Sequence, residues 1–135
     1  IIENYADIKK NLMAKGVEFK SETDTEVLVQ LIEYIQVKKD LDLLTAVQVA
    51  LRQVIGAYAI AILDKRNPDQ IIAARKQSPL VVGIGEDGEF YLGSDASPII
   101  EYTDKVVYLE DGNIAVMRLG QELQVVNIQN VKLNP

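Results

Sequence analysis

The hydrophobic pattern of the chain changes its period once, at Gly56. Before this residue the apolar side chains recur at helical spacing, whereas after it they form the runs and alternations of extended strands. The first part predicts three helices: one over 4–15, one that follows Thr23 and ends near Lys38-Lys39, and one that Asp40 or Asp42 caps and Gly56 closes. The long helices are therefore expected to precede the strands.

The second part is predicted to form strands joined by turns and hairpins. Asp-Gly pairs at 87–88 and 111–112 are typical of tight hairpins, and Asn-Pro-Asp at 67–69 predicts a turn. Residues 57–63 are apolar at every position, so this run is predicted to be a central strand covered on both faces. A short helix is predicted over 94–100. Further strands are predicted at 71–74, 80–84, 90–92, 106–109, 114–119 and 123–128.

These elements predict an α+β layered sandwich. Hairpins imply largely antiparallel pairing, while strands that are apolar on both faces need cover from helices or from a second sheet. The chain of 135 residues is long enough for one domain with its own core. It has no internal repeat and no linker-like stretch, so a single domain over 1–135 is expected.

Composition excludes several classes of chemistry. The chain has no cysteine and no histidine, so it holds neither a disulfide framework nor a Ser-His-Asp or Cys-His site. We expect no metal site and no cofactor. A net charge of −6 disfavours nucleic acid and anionic membranes as partners, and no apolar run is long enough to span a bilayer. A cytoplasmic protein is the plain expectation.

The first residue is unusual for an intact gene product. Translation begins with Met, and processing usually leaves a small residue at the new terminus, whereas this chain starts at Ile1. We therefore expect the chain to be a piece of a longer protein.

The run Ser-Glu-Thr-Asp-Thr-Glu-Val at 21–27 joins a helix start to a carboxylate. Thr23 is predicted to cap the second helix, with Glu26 reaching back to the Thr23 amide in a capping box. Asp24 then lies in the first turn, where the helix dipole favours negative charge and where a carboxylate could bind an ammonium group. From the pattern alone, the commoner interpretation of Asp24 is a helix-start residue, and the binding role stays open.

The other candidate positions are better explained by local structure. Gly-Ile-Gly at 83–85 lies between strands, so it lacks the context of a dinucleotide loop. Ser-Asp at 94–95 is typical of a turn. Arg75 is expected at a solvated strand end, and Asn4 is expected to cap the first helix.

Several blocks of the sequence, spread over nearly the whole chain, resemble one enzyme family. The family is the glutaminase domain of glutamine:fructose-6-phosphate amidotransferase, also called glucosamine-6-phosphate synthase, a class II glutamine amidotransferase. The blocks are Ile-Ile-Glu-Asn-Tyr at 1–5, the 21–27 run, Gly-Ala-Tyr-Ala at 56–59, Ala-Arg at 74–75, Ser-Pro-Leu-Val-Val-Gly at 78–83, Ser-Asp at 94–95 and Leu-Glu-Asp-Gly-Asn-Ile-Ala at 109–115.

The resemblance implies an N-terminal-nucleophile hydrolase fold with four layers in the order αββα. It also implies a mechanism in which an N-terminal cysteine, with its own α-amine as base, attacks the glutamine amide, forms a glutamyl thioester and releases ammonia. A sugar-isomerising domain then uses the ammonia to make glucosamine 6-phosphate. The one glutamine-binding residue that the resemblance places in this chain is Asp24, which holds the α-ammonium group of L-glutamine.

The resemblance also implies that the catalytic groups lie outside this chain. The nucleophilic cysteine, an arginine segment and an Asn-Gly oxyanion hole precede the position of Ile1, and the sugar-isomerase domains follow Pro135. The chain is thus expected to be a partial glutaminase domain, incomplete at its N-terminal side, inactive alone and prone to self-association. Two alternatives are the glutaminase part of amidophosphoribosyltransferase and a non-enzymatic interaction module with the same fold.

Overall fold

A computed structural model describes residues 1–129 and the backbone of 132–133. The chain divides into two units, Ile1–Gly56 and Ala57–Pro135. The first contains the three long helices and the second contains the strands, so the change of period at Gly56 coincides with the boundary between the units. The predicted α+β class, with helices before antiparallel strands, is confirmed.

The first unit consists of α1 (Tyr5–Ala14), α2 (Asp24–Lys39) and α3 (Leu43–Leu51). Helix α2 contacts both α1 and α3 through a broad apolar face, and its buried side chains are Val27, Leu28, Leu31, Ile32 and Ile35. Their spacing of three or four residues is the helical period seen in the sequence.

The helix ends resolve one choice that the sequence left open. Asp42 caps α3, because its Oδ1 accepts a hydrogen bond of 2.9 Å from the Thr45 amide. Asp40 instead ends α2 in the left-handed conformation with φ 51°. The α-helical part of α3 ends at Leu51, before Gly56, because the Gln53 and Val54 amides bond to carbonyls only three residues back and tighten the last turn.

The second unit contains two antiparallel sheets. The five-stranded sheet has the order β1 (Tyr58–Asp64), β2 (Asn67–Lys76), β6 (Asn113–Arg118), β7 (Gln124–Asn127), β8 (Lys132–Leu133). The three-stranded sheet has the order β4 (Phe90–Gly93), β3 (Val81–Ile84), β5 (Val106–Tyr108). The core cluster between them combines side chains of both sheets, including Ala73, Ala115, Met117, Val82 and Leu92. The short helix α4 (Ser97–Ile100) packs on the other face of the smaller sheet through Ile99.

The prediction that 57–63 forms a central strand is wrong. This strand, β1, lies at the edge of its sheet, and the Leu63 side chain is 72% exposed. Apolar composition indicates that a strand can be covered on both faces, but it does not decide the position of that strand within the sheet.

Two predicted turns also differ from the structure. The β1–β2 turn falls at Lys65-Arg66 rather than at 67–69, and Pro68 lies in an irregular part of β2 that needs no ladder hydrogen bond from it. The Asp-Gly pair at 111–112 does not close a hairpin, because β5 and β6 belong to different sheets. The strand β8 follows the last strand predicted from the sequence, which covers 123–128.

Candidate functional site

The first turn of α2 is fixed by the run 21–27. Thr23 caps the helix as predicted, because its Oγ1 accepts a hydrogen bond of 3.2 Å from the Glu26 amide. The predicted return bond from Glu26 to the Thr23 amide is wrong. Ser21 Oγ accepts from that amide at 3.3 Å instead, and the Glu26 carboxylate lies against the residues that precede the cap.

Glu26 holds the loop before α2 against the first helical turn. Its carboxylate accepts hydrogen bonds from the Ser21 hydroxyl at 2.6 Å, from the Lys20 amide at 2.9 Å and from Gln30 Nε2 at 3.4 Å. The Ser21 hydroxyl and, next, the Lys20 amide lower the pKa of Glu26 to about 2, since both stabilise the ionised form. The loop is therefore fastened by a carboxylate that stays charged well below neutral pH.

Asp24 is the first residue of α2 and is partly buried. Its Oδ2 accepts a hydrogen bond of 3.0 Å from the backbone amide of Ile2. Among the described residues, none donates a hydrogen bond to Oδ1. One oxygen of the carboxylate is thus anchored to the chain, while the other is left for a donor from outside the described residues.

Ile2 is held in turn by the segment that follows α3. Ile2 forms an isolated antiparallel bridge with Gly56, and the Glu3 amide donates to the Ile55 carbonyl at 2.7 Å. Asn4 adds two bonds: its Oδ1 accepts from the Ile55 amide at 2.9 Å, and its Nδ2 donates to the Gln53 carbonyl at 2.7 Å.

This use of Asn4 differs from the predicted cap. Its side chain makes no capping hydrogen bond to α1 and connects residues about fifty positions apart instead. Spacing along one helix cannot indicate such a partner. In the sequence, Ile2 and Gly56 belong to separate blocks of the family resemblance, and the structure brings these two residues together.

Of the other candidate residues, Asp95 serves local structure as expected, since its Oδ1 accepts from the Ser97 amide at 3.2 Å. Gly83 lies within strand β3, which agrees with the prediction that it does not form a dinucleotide-binding loop. The solvated strand end predicted for Arg75 is wrong. Its guanidinium is largely buried and donates to the carbonyls of Ser78 at 2.7 Å and Leu109 at 2.8 Å.

Arg75 is one part of a polar cluster in the second unit. Its Nη2 lies 3.3 Å from Asp111 Oδ1, which also accepts from the Gln77 amide. Tyr58 is buried nearby, and its hydroxyl has no hydrogen-bond partner among the described residues. Burial and, to a smaller extent, the charge of Asp111 raise the pKa of Tyr58 to about 12. The contacts of Arg75 hold the C-terminal ends of β2 and β5 together, and we assign this cluster a structural role.

The position of Asp24 gives its carboxylate the chemistry of a ligand-binding group. A carboxylate at a helix N-terminus, held by one backbone amide, can accept a charge-assisted hydrogen bond from an ammonium group. The arrangement can therefore recognise an amine, and no cysteine or histidine of this chain stands beside it to carry out a reaction.

A solved structure shares the fold of this chain. It is the glutamine phosphoribosylpyrophosphate amidotransferase from B. subtilis, and it matches 94% of this chain and 27% of its own length with a TM-score of 0.79 at 22% sequence identity. The likeness confirms the N-terminal-nucleophile hydrolase type of α+β fold. Among the described residues, no helix is both long and apolar enough to cross a membrane.

The sequence comparisons then give the family. The model of the glutamine amidotransferase domain matches residues 1–101, and the chain belongs to this family. It is 71% identical over 135 residues to a glutamine--fructose-6-phosphate aminotransferase (isomerizing) of Bacteroides thetaiotaomicron, and 53% identical over 134 residues to that of Chlorobaculum tepidum. The matches cover 100% and 98% of this chain but only 22% and 21% of those relatives. The relatives are thus much longer than this chain.

Proposed function

We propose that residues 1–135 are part of a glutaminase domain, and that the parent protein uses glutamine to convert fructose 6-phosphate into glucosamine 6-phosphate. The high identity to the relatives named above, over the full length of this chain, supports the proposal. Further domains, of the sugar-isomerase type, supply the rest of the reaction. The proposed location is the cytoplasm.

Within this domain we assign Asp24 to the α-ammonium group of L-glutamine. The observation that carries the assignment is the hydrogen bond from the Ile2 amide, which anchors Oδ2 and leaves Oδ1 for the substrate. Asp24 lies at the N-terminal end of α2 and is partly buried, so water screens its attraction for a bound cation less than at a fully exposed site. The chain contains no thiol, so its own contribution is binding, and the nucleophile comes from the rest of the domain.

A pair of matched variants of the full-length protein tests the assignment. Asp24→Asn keeps the shape of the side chain and an acceptor for the Ile2 amide but removes the charge, so the KM for glutamine should rise by about tenfold to a hundredfold. Synthesis of glucosamine 6-phosphate from added ammonia should change little. Asp7→Asn is the control, because Asp7 is also an acidic residue in the first turn of a helix. Equal loss with both nitrogen sources would show that Asp24 serves the fold.

The acceptor sugar separates the proposal from the main alternative. The glutaminase part of amidophosphoribosyltransferase has the same fold, but at 22% identity the similarity extends only to the fold. We expect the full-length protein to consume glutamine with fructose 6-phosphate and not with phosphoribosyl pyrophosphate. A non-enzymatic module would do neither. The 135-residue chain alone should release no ammonia from glutamine above a buffer blank.

We also propose that the isolated chain self-associates. The edge strand β1 and its exposed Leu63 side chain support this, because unpaired strand edges are ready sites for pairing with another chain. Light scattering should give a mass above 15.0 kDa, and a stable monomer of that mass would contradict the proposal.

A further inference from the structure

Gly56 lies directly against the backbone at the start of the chain. Its φ is 134°, and a Cβ at this position would overlap the carbonyl oxygen of Ile1 and lie 3.1 Å from the amide nitrogen of Glu3. Both neighbours are backbone atoms, so they cannot give way by a change of rotamer. Only a residue without a side chain allows the 1–3 segment to lie where it does.

The close approach fixes the position of the Ile2 amide. Ile2 pairs with Gly56. Directly after Ile2, the Glu3 amide donates to the Ile55 carbonyl and Asn4 Oδ1 accepts from the Ile55 amide, so the segment is held next to that contact. The Ile2 side chain is only 5% exposed, which further limits its movement. The amide is thereby presented to Asp24 Oδ2 at 3.0 Å.

We infer that Gly56 is a positioning residue for Asp24: it lets the Ile1–Ile2 peptide approach so closely that the Ile2 amide orients the carboxylate toward the ammonium group of the substrate. The inference rests on the proposed binding role of Asp24. A side chain at Gly56 would push the peptide away by about 1 Å, which is enough to lose a hydrogen bond of 3.0 Å. Asp24 would keep its charge but lose its fixed orientation.

The test measures glutamine kinetics of the full-length protein in a double-mutant cycle. Gly56→Ala should raise the KM for glutamine about tenfold, since misplacement by about 1 Å is costly for an oriented contact. Ammonia-dependent synthesis should be retained. Gly16→Ala is the matched control, because Gly16 also has a positive φ, of 92°, but a Cβ there would meet nothing within 4 Å. It carries the backbone strain without the displaced neighbour and should leave the KM unchanged.

The double-mutant cycle shows whether Gly56→Ala changes the KM for glutamine through Asp24. If Gly56 acts through Asp24, adding Gly56→Ala to Asp24→Asn should raise the KM by much less than it does in the unmodified protein. Effects that multiply independently, or a Gly56→Ala variant that behaves like Gly16→Ala, would overturn the inference while Asp24→Asn still raises the KM. If Asp24→Asn itself leaves the KM unchanged, the proposed function fails instead.

A second variant guards against failure of Gly56→Ala to fold. Asn4→Ala removes both bonds to residues 53 and 55 without imposing strain at Gly56, so it loosens the same segment from its other side. It should raise the KM for glutamine in the same non-additive way with Asp24→Asn. A soluble Asn4→Ala protein with an unchanged KM would count against the positioning of Asp24 by this segment.

Discussion

The backbone amide of Ile2 donates a hydrogen bond to Oδ2 of Asp24, 3.0 Å away, although 22 residues separate them in sequence. Next to Asp24 along the chain, Thr23 caps α2, and Glu26 fastens the loop before it. Stability and the proposed recognition of substrate therefore depend on different side chains of one short run. Variants of the neighbours should change stability and leave the charge of the proposed site intact.

Glu26 is expected to make the protein sensitive to acid. Its pKa is about 2 in the folded state against 4.5 for a free side chain, so the ionised form stabilises the fold above pH 4.5. That contribution should fall as the pH drops from about 4.5 toward 2, because the folded protein must then take up a proton that breaks the bonds to Ser21 and Lys20. Thermal unfolding measured across this interval should show a shallower pH dependence in Glu26→Gln.

Glu22→Gln is the control for this experiment. Glu22 belongs to the same run, but its side chain is 98% exposed and its ion pair with Lys9 is a surface contact of 3.5 Å. The Glu22 variant should keep the pH profile of the unmodified protein. If the Glu26 and Glu22 variants have the same profile, the bonds to Ser21 and Lys20 do not act in solution.

Thr23→Ala should lower the free energy of unfolding by about 1 kcal/mol, the usual cost of losing a helix cap. The reason is that the Glu26 amide would lose the acceptor that Thr23 Oγ1 provides. Denaturant titration of Thr23→Ala and Thr25→Ala measures the difference. Thr25 is an exposed residue of the same helical turn, and its replacement should cost less than the cap, whereas equal costs would argue against capping by Thr23.

The sequence predicts the Thr23 cap and the buried face of α2 because both depend on spacings of three or four residues. It also predicts that Asp24 begins the helix, and the family resemblance adds the proposed ligand. It cannot predict the bond from Ile2 to Asp24 or those from Asn4 to Gln53 and Ile55, since these join distant parts of the chain. Such pairs follow from the packing of the unit rather than from any local period.

The strands show the same limit. The alternation and turn residues locate most strands within a few positions, but the sheet to which each strand belongs depends on long-range pairing. At 111–112 the Asp-Gly pair does turn the chain, and Gly112 has a φ of 81°. The Arg75 side chain and the Gln77 amide, however, both donate to Asp111. These contacts hold the turn while the chain passes from β5 in one sheet to β6 in the other. A hairpin was predicted there because only the local signal is visible in the sequence.

Arg75→Lys should destabilise the second unit although it keeps the charge. One ammonium group cannot reach the carbonyls of Ser78 and Leu109 and the carboxylate of Asp111 with the geometry of a guanidinium fork. We expect a loss of about 1–3 kcal/mol in the free energy of unfolding. Arg66→Lys, at an exposed turn of the same unit, is the control and should stay within about 0.5 kcal/mol. Similar losses in both variants would show that the bonds of Arg75 to Ser78, Leu109 and Asp111 do not stabilise the unit.

Tyr58→Phe should make the protein more resistant to alkali. The pKa of Tyr58 is about 12 in the folded state against 10 for a free side chain, so the folded state keeps a proton that the unfolded chain releases above pH 10. Stability is therefore lost as the pH rises from 10 toward 12, by about 1 kcal/mol at pH 11. At pH 8 the replacement should be neutral or slightly stabilising, because the hydroxyl has no partner among the described residues.

The measurement is the free energy of unfolding at pH 8 and pH 11. The control is Tyr108→Phe, because Tyr108 is 67% exposed. If Tyr58→Phe weakens the protein at pH 8, the hydroxyl makes a stabilising contact, and if both variants lose the same stability by pH 11, the proton on Tyr58 is not the cause.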